Sequence, residues 1–238
     1  MTMAAELGIE GGVQVIRGLG PAGYRWIRRR LRGKVVLVIG PPHAGKTSFI
    51  DYLCWSVFRN ERYIPTTTRP KETELGDLKM GRNGQFNICI QKMVDFPGQI
   101  GAMSQAKEVF ERKPHAIIIF TNLADSEEKE LDPNDVSDVW LRDFCQRLET
   151  LWVTEGKRSK SRMQAIIVAM NKSDKIKDVQ TITDKRNQFS QIVTSRLRVA
   201  RVSAEEEIAI LPCTLVTNSK HDEDVQNIVL HLAQRLIR

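Results

Sequence analysis

The chain has 238 residues, 41% hydrophobic and 27% charged, the balance of an ordinary soluble globular protein with one large domain, or one domain and an appendage. No apolar run reaches the roughly 18–20 residues of a bilayer span, the N-terminal residues lack the apolar core of a secretory leader, and neither Thr2 nor the RLIR ending fits a lipidation signal. The formal charge of +7 allows an anionic partner (nucleotide, lipid surface or nucleic acid) without choosing one. Cys54, Cys89, Cys145 and Cys213 lie far apart with no metal-ligand spacing, so they read as single thiols in a reducing cytosol.

Residues 1–33 contain seven glycines and end in the cluster Arg25-Trp26-Ile27-Arg28-Arg29-Arg30-Leu31-Arg32, and are set apart as a basic N-terminal extension. Residues 34–238 alternate apolar runs with amphipathic stretches, the pattern of an α/β fold. Lys34–Ile39 is a continuous apolar strand, of the kind buried on both faces. Thr47–Phe58 reads as a helix. Glu72–Met80 and Gln85–Val94 flank an Asn83-Gly84 turn and form a hairpin. A helix follows that hairpin, and His115–Thr121 and Gln164–Met170 are two more buried strands. A helix near Val136–Val153 lies between them, bounded by an acidic loop at 126–134 and a basic loop at 156–162. A helix near Thr183–Val199, a strand at Ile208–Val216 and a helix at His221–Arg238 complete the chain. The sum is six strands, one of them antiparallel, and five helices on both faces of the sheet.

Gly40-Pro41-Pro42-His43-Ala44-Gly45-Lys46-Thr47 satisfies GxxxxGK(S/T), between a strand and a helix as phosphate binding requires. Backbone N–H groups of such a loop surround the phosphates, aided by the helix N-terminus. Lys46 is expected to reach the β- and γ-phosphates and Thr47 to ligate Mg²⁺. Pro42, His43, Ala44, Gly45 and Ser48 complete the expected phosphate-loop contacts. Proline donates no N–H, and Pro41 and Pro42 precede the donors in the Ras-like pattern, which begin at His43.

Asn171-Lys172-Ser173-Asp174 directly follows a strand and matches NKxD. Guanine offers two donors on one edge, N1–H and the 2-amino group, and the Asp174 carboxylate accepts both; adenine has no such pair. Asn171 would tie this loop to the phosphate loop, and the Lys172 stem would cover the base.

These motifs, with Asp95-Phe96-Pro97-Gly98-Gln99 between them, resemble the Ras-like small GTPases over residues 34–238, most of all the Arf-like and prokaryotic Ras-like groups. The resemblance implies a P-loop nucleoside-triphosphatase fold, GTP or GDP with Mg²⁺ as ligands, and hydrolysis of GTP. It assigns Asp95 to a Mg²⁺-bound water, the Gly98 amide to the γ-phosphate, and Gln99 to the attacking water. In the loop 64–70 one of Thr66, Thr67 and Thr68 would close over Mg²⁺, with Thr67 preferred. Thr217-Asn218-Ser219-Lys220 stands where the family has a TSAK-type loop, so Ser219 and Lys220 join the expected base contacts. Pro42 and His43 replace glycines usual in the Ras subgroup, and no internal arginine finger stands out; Arg62 and Arg69 are candidates. Slow intrinsic turnover as a molecular switch is expected, or else a GTP-dependent assembly module whose hydrolysis is incidental. The expected partner is an effector or activating protein that recognises the switch loops. For residues 21–32 the options are a membrane surface, a partner protein or a simple tether; no nucleic-acid motif is present. The expected location is cytoplasmic, with membrane contact through the extension as the alternative.

Overall fold

The computed structural model describes residues 34–55, 70–73, 77–80, 86–89, 92–98, 100–123, 136–155, 163–197, 208–215 and 222–236. Eight strands occur among them: β1 (Val35–Ile39), β2 (Lys71–Thr73), β3 (Asp77–Met80), β4 (Phe86–Cys89), β5 (Lys92–Asp95), β6 (Ala116–Asn122), β7 (Ala165–Asn171) and β8 (Ile208–Pro212). The helices are α1 (Lys46–Trp55), α2 (Ala102–Arg112), α3 (Val136–Thr154), α4 (Val179–Leu197) and α5 (Asp222–Leu236).

The main sheet runs β2-β5-β1-β6-β7-β8. Five of these strands are mutually parallel, and the three-residue β2 lies antiparallel on the edge against β5. The expected hairpin is present: β2 pairs antiparallel with β5 and β3 with β4 in one common register, Lys71 opposite Asp95 and Asp77 opposite Cys89. The ends of its arms, β2 and β5, lie in the main sheet, and nearer the turn β3 and β4 pair with each other.

Alternation along the central strands explains how the sheet is covered. Val36 and Val38, with Ile118, Phe120 and Ile167, face the cluster that holds Phe49 and Ile50 of α1 and Val225, Ile228, Val229 and Leu232 of α5. Leu37 and Ile39, with Ile117, Ile119, Ile166 and Val168, face Ala106 and Val109 of α2, Leu141, Phe144 and Leu148 of α3, and Phe189 and Val193 of α4. Both faces are dry, which is why these strands read as unbroken apolar runs. Each such side chain fully buried contributes about 1.5–3 kcal/mol of transfer free energy. On the α5 face the sheet offers Ala116, Ala165, Ala169 and Ala209, small residues that let the helix approach closely.

Local chemistry sets two boundaries differently from expectation. Helix α4 begins at Val179 rather than Thr183, because Asp178 caps it: its carboxylate accepts from the Gln180 N–H at 3.0 Å and the Thr181 N–H at 3.1 Å. Strand β8 stops at Pro212 rather than Val216, and beyond it Thr214 N–H donates to Asp224 of α5 at 2.9 Å instead of to a neighbouring strand. Among the described residues no helix is long and apolar enough to cross a membrane.

Candidate functional site

β5 lies on one side of β1 and β6, β7 and β8 on the other, so connections from the sheet centre depart in opposite directions. The crevice at the carboxyl ends of the strands at such a point is where open α/β sheets bind ligands. The loops after β1, β5, β7 and β8, with described residues 40–45, 96–98, 100–101, 172–175 and 213–215, all emerge on that edge.

The loop after β1 rises into α1 with His43 and Gly45 at positive φ, 56° and 94°. Gly45 has no room for a side chain, because a Cβ there would collide with the Asn171 amide. Lys46 is buried and folds back over the loop, its Nζ donating to the carbonyls of Gly40 at 3.0 Å and Pro41 at 2.7 Å. Burial pushes its ammonium down to about 8, against the stabilising pull of Asp95. Its hydrogen bonds go to two backbone carbonyls, with the Asp95 carboxylate acting on it electrostatically.

Thr47 donates its hydroxyl to Asp95 Oδ2 at 2.7 Å, and Asp95 is almost wholly buried. One hydroxyl and one carboxylate, both hard oxygen donors, fit Mg²⁺, which takes few protein ligands and keeps several waters. Among the described residues no cluster of three or more His, Cys, Asp or Glu forms an all-protein metal cage. Ser48 is half-buried in the first turn of α1, and His43 is exposed at the loop crest. Gly98 packs directly on the phosphate loop: a Cβ at that position would lie 2.5 Å from Pro42 Cα and 2.7 Å from the Pro41 carbonyl carbon.

Asn171 ends β7 and is buried. Its Nδ2 donates to the Ala44 carbonyl at 3.1 Å, and its Oδ1 accepts from Leu215 N–H at 3.0 Å. Lys172 adopts the left-handed conformation, φ 64°, and turns the chain into a short 3₁₀ segment, Ser173–Lys175, with the Asp174 side chain exposed. Asp174 N–H donates to Thr214 Oγ1 at 3.2 Å, and the Ser173 and Thr214 hydroxyls lie 3.0 Å apart. The loops after β1, β7 and β8 are thus one hydrogen-bonded unit.

Gln99, Thr66, Thr67, Thr68, Ser219 and Lys220 lie outside the described residues, as do Arg62, Arg69, residues 1–33 and the loops at 126–134 and 156–162. Two residues not anticipated from sequence belong to the site. Thr214 fixes the loop after β7, and Gln105, fully buried in α2, bonds to both the loop after β1 and the loop after β5. A threonine just beyond the last strand gives no distinctive signal, and neither does a glutamine in a polar helix.

The strand, glycine-bearing loop and helix at the sheet's switch point, with a buried lysine over the loop, have the strand–loop–helix geometry of a P-loop fold. No protein-family model matches the chain, and no curated protein matches it. Among solved structures it is similar to that of the mammalian SRP receptor, at 19% identity and a TM-score of 0.49, over 86% of this chain and 100% of that one. It is also similar to translation elongation factor SelB from Methanococcus maripaludis in complex with the GTP analogue GppNHp, at 17% identity and a TM-score of 0.48, over 85% of this chain and 34% of that one. The chain therefore spans about a third of the SelB length.

Proposed function

We propose that the chain binds GTP with Mg²⁺, hydrolyses it slowly to GDP and phosphate, and acts as a nucleotide-dependent switch. The observation that carries this reading is the Asn171 bridge, which holds the base loop against the phosphate loop through the Ala44 carbonyl. With that bridge, the loop that carries Asp174, a group suited to the guanine edge, is held against a loop suited to phosphate.

In this reading Lys46 leaves its two carbonyls to engage the β- and γ-phosphates, and Thr47 and Asp95 hold Mg²⁺ directly or through water. Mg²⁺ bound there would neutralise charge on the phosphate oxygens. Gln99 orients the attacking water, Thr67 and Gly98 hold the two switch loops, and Ser219 and Lys220 complete the base pocket. A partner protein reads those loops, and the extension at 1–33 contacts a membrane surface or a protein.

Competition binding with GTP, ATP and xanthosine triphosphate tests the base assignment. Asp174→Asn should weaken GTP on the order of a hundredfold, the worth of two charge-assisted hydrogen bonds, and should improve the xanthine nucleotide, whose 2-oxo group accepts from the new amide. ATP displacing the probe as well as GTP would overturn the guanine reading.

A further inference from the structure

Gln105 is a polar side chain with no solvent exposure, held one turn into α2. Its Oε1 accepts from Gly40 N–H at 3.0 Å. Its Nε2 faces three carbonyls, Ile100 at 2.7 Å, Gly40 at 3.2 Å and Pro97 at 3.2 Å. A carboxamide nitrogen carries two hydrogens. The short contact to Ile100 takes one of them, and the other is divided between Gly40 and Pro97.

Gly40 O has a second donor, Lys46 Nζ at 3.0 Å. Lys46 and Gln105 therefore converge on one acceptor, and Gln105 alone also reaches the loop after β5. We propose that Gln105 is a positioning residue that couples Lys46 to the Pro97–Ile100 segment by switching one amide hydrogen between Gly40 and Pro97. This rests on the reading of the site as one that binds GTP through Lys46.

When Lys46 rests on Gly40 O, as it does here, that carbonyl has two donors and the Gln105 hydrogen is shared with Pro97. When Lys46 turns to phosphate, Gly40 O loses a donor inside a dry site and draws the Gln105 hydrogen from Pro97. The hold on Pro97 then loosens while the hold on Ile100 stays. Gln99 stands between those two acceptors in the sequence, so the device acts on the segment that carries the proposed water-orienting group.

A static cap of three carbonyls would affect all nucleotides alike, whereas a coupling residue separates GDP from a triphosphate. The full chain is therefore compared with Gln105→Met, which keeps length and shape, and Gln105→Glu, which keeps an acceptor for Gly40 and loses the amide donors. Affinities for GDP and GppNHp are measured by competition, and GTP hydrolysis in single turnover. Both variants should shift the GDP-to-GppNHp affinity ratio and slow hydrolysis by about three- to tenfold, the worth of a net hydrogen bond or slightly more. Equal loss for both nucleotides, or an unchanged hydrolysis rate, overturns the proposal. Should the variants fail to fold, hydrogen exchange of the wild type decides: exchanging GDP for GppNHp should alter the Gly40 amide together with those of residues 98–101. A change at 98–101 with Gly40 unaffected overturns the coupling. Wild type that binds neither nucleotide overturns the functional reading itself, a result distinct from any of these.

Discussion

Thr47 and Asp95, 48 positions apart in sequence, meet through a 2.7 Å hydrogen bond because β1 and β5 are neighbours with Val38 opposite Asp95. The first turn of α1 and the end of β5 thereby offer two hard oxygens at one point. Thr47→Val keeps the shape of the side chain and removes the hydroxyl. Nucleotide affinity in Mg²⁺ should fall about tenfold, the worth of one strong oxygen contact, and affinity in EDTA should change little. Loss of equal size in both buffers would remove Thr47 from the metal site.

Asn171→Ala strips the Ala44 carbonyl and the Leu215 N–H of their partner at once. Leaving such groups unsatisfied costs about 1–3 kcal/mol each when buried. A total of about 3 kcal/mol lowers Tm by about 6–12 °C for a domain of this size. Thermal denaturation without nucleotide reads the effect, and a shift under about 2 °C would show that the bridge is not structural.

Lys46 makes alkaline stability measurable. Its folded pKa is about 8 and its ordinary value 10.5, so between those values the unfolded chain binds more protons than the folded one. Stability contributed at this site therefore rises with pH across that window, and the cost of the buried charge is fully present below it. Lys46→Met should abolish nucleotide binding and raise stability at pH 7 by about 1–3 kcal/mol. That advantage should shrink towards pH 10. Urea denaturation at the two pH values checks this, and a pH-independent difference contradicts it.

His231 works in the acid range. Burial first, then Arg235 and Arg186, lowers its pKa from 6.5 to about 4, and its Nδ1 lies 3.0 Å from Arg235 Nη1. Between pH 6.5 and 4 the unfolded chain binds the extra proton, so stability falls as pH falls through that window. His231→Gln should flatten this part of the denaturation midpoint profile; an unaltered slope would mean that other groups carry it.

Much of the site is legible in the sequence because its parts are local. Gly40–Thr47 has to join a strand to a helix, and Asn171–Asp174 has to end a buried strand; both conditions are met by β1, α1 and β7. What escapes depends on tertiary contact. Gln105 stands in Ala102–Arg112 among charged neighbours, and only packing of α2 against Gly40 makes it a buried group. The end of β8 falls earlier than composition suggests, because Leu211 to Val216 keeps a strand-like character while Asp224, from a later helix, captures the Thr214 amide. The Asp178 cap is legible in principle, since Asp-Val-Gln-Thr presents an acid just ahead of two amides it can accept.

The contact of Gly98 with Pro41 and Pro42 bears on how this protein tolerates change. Two loops that meet through a missing side chain occupy a single shared volume. Bulk cannot be added at 98 unless the wall at 41–42 recedes, and a smaller wall opens a gap that only a larger residue at 98 would fill. Sequence variation at these positions is therefore joint, so a randomised library would return accepted combinations rather than accepted single replacements.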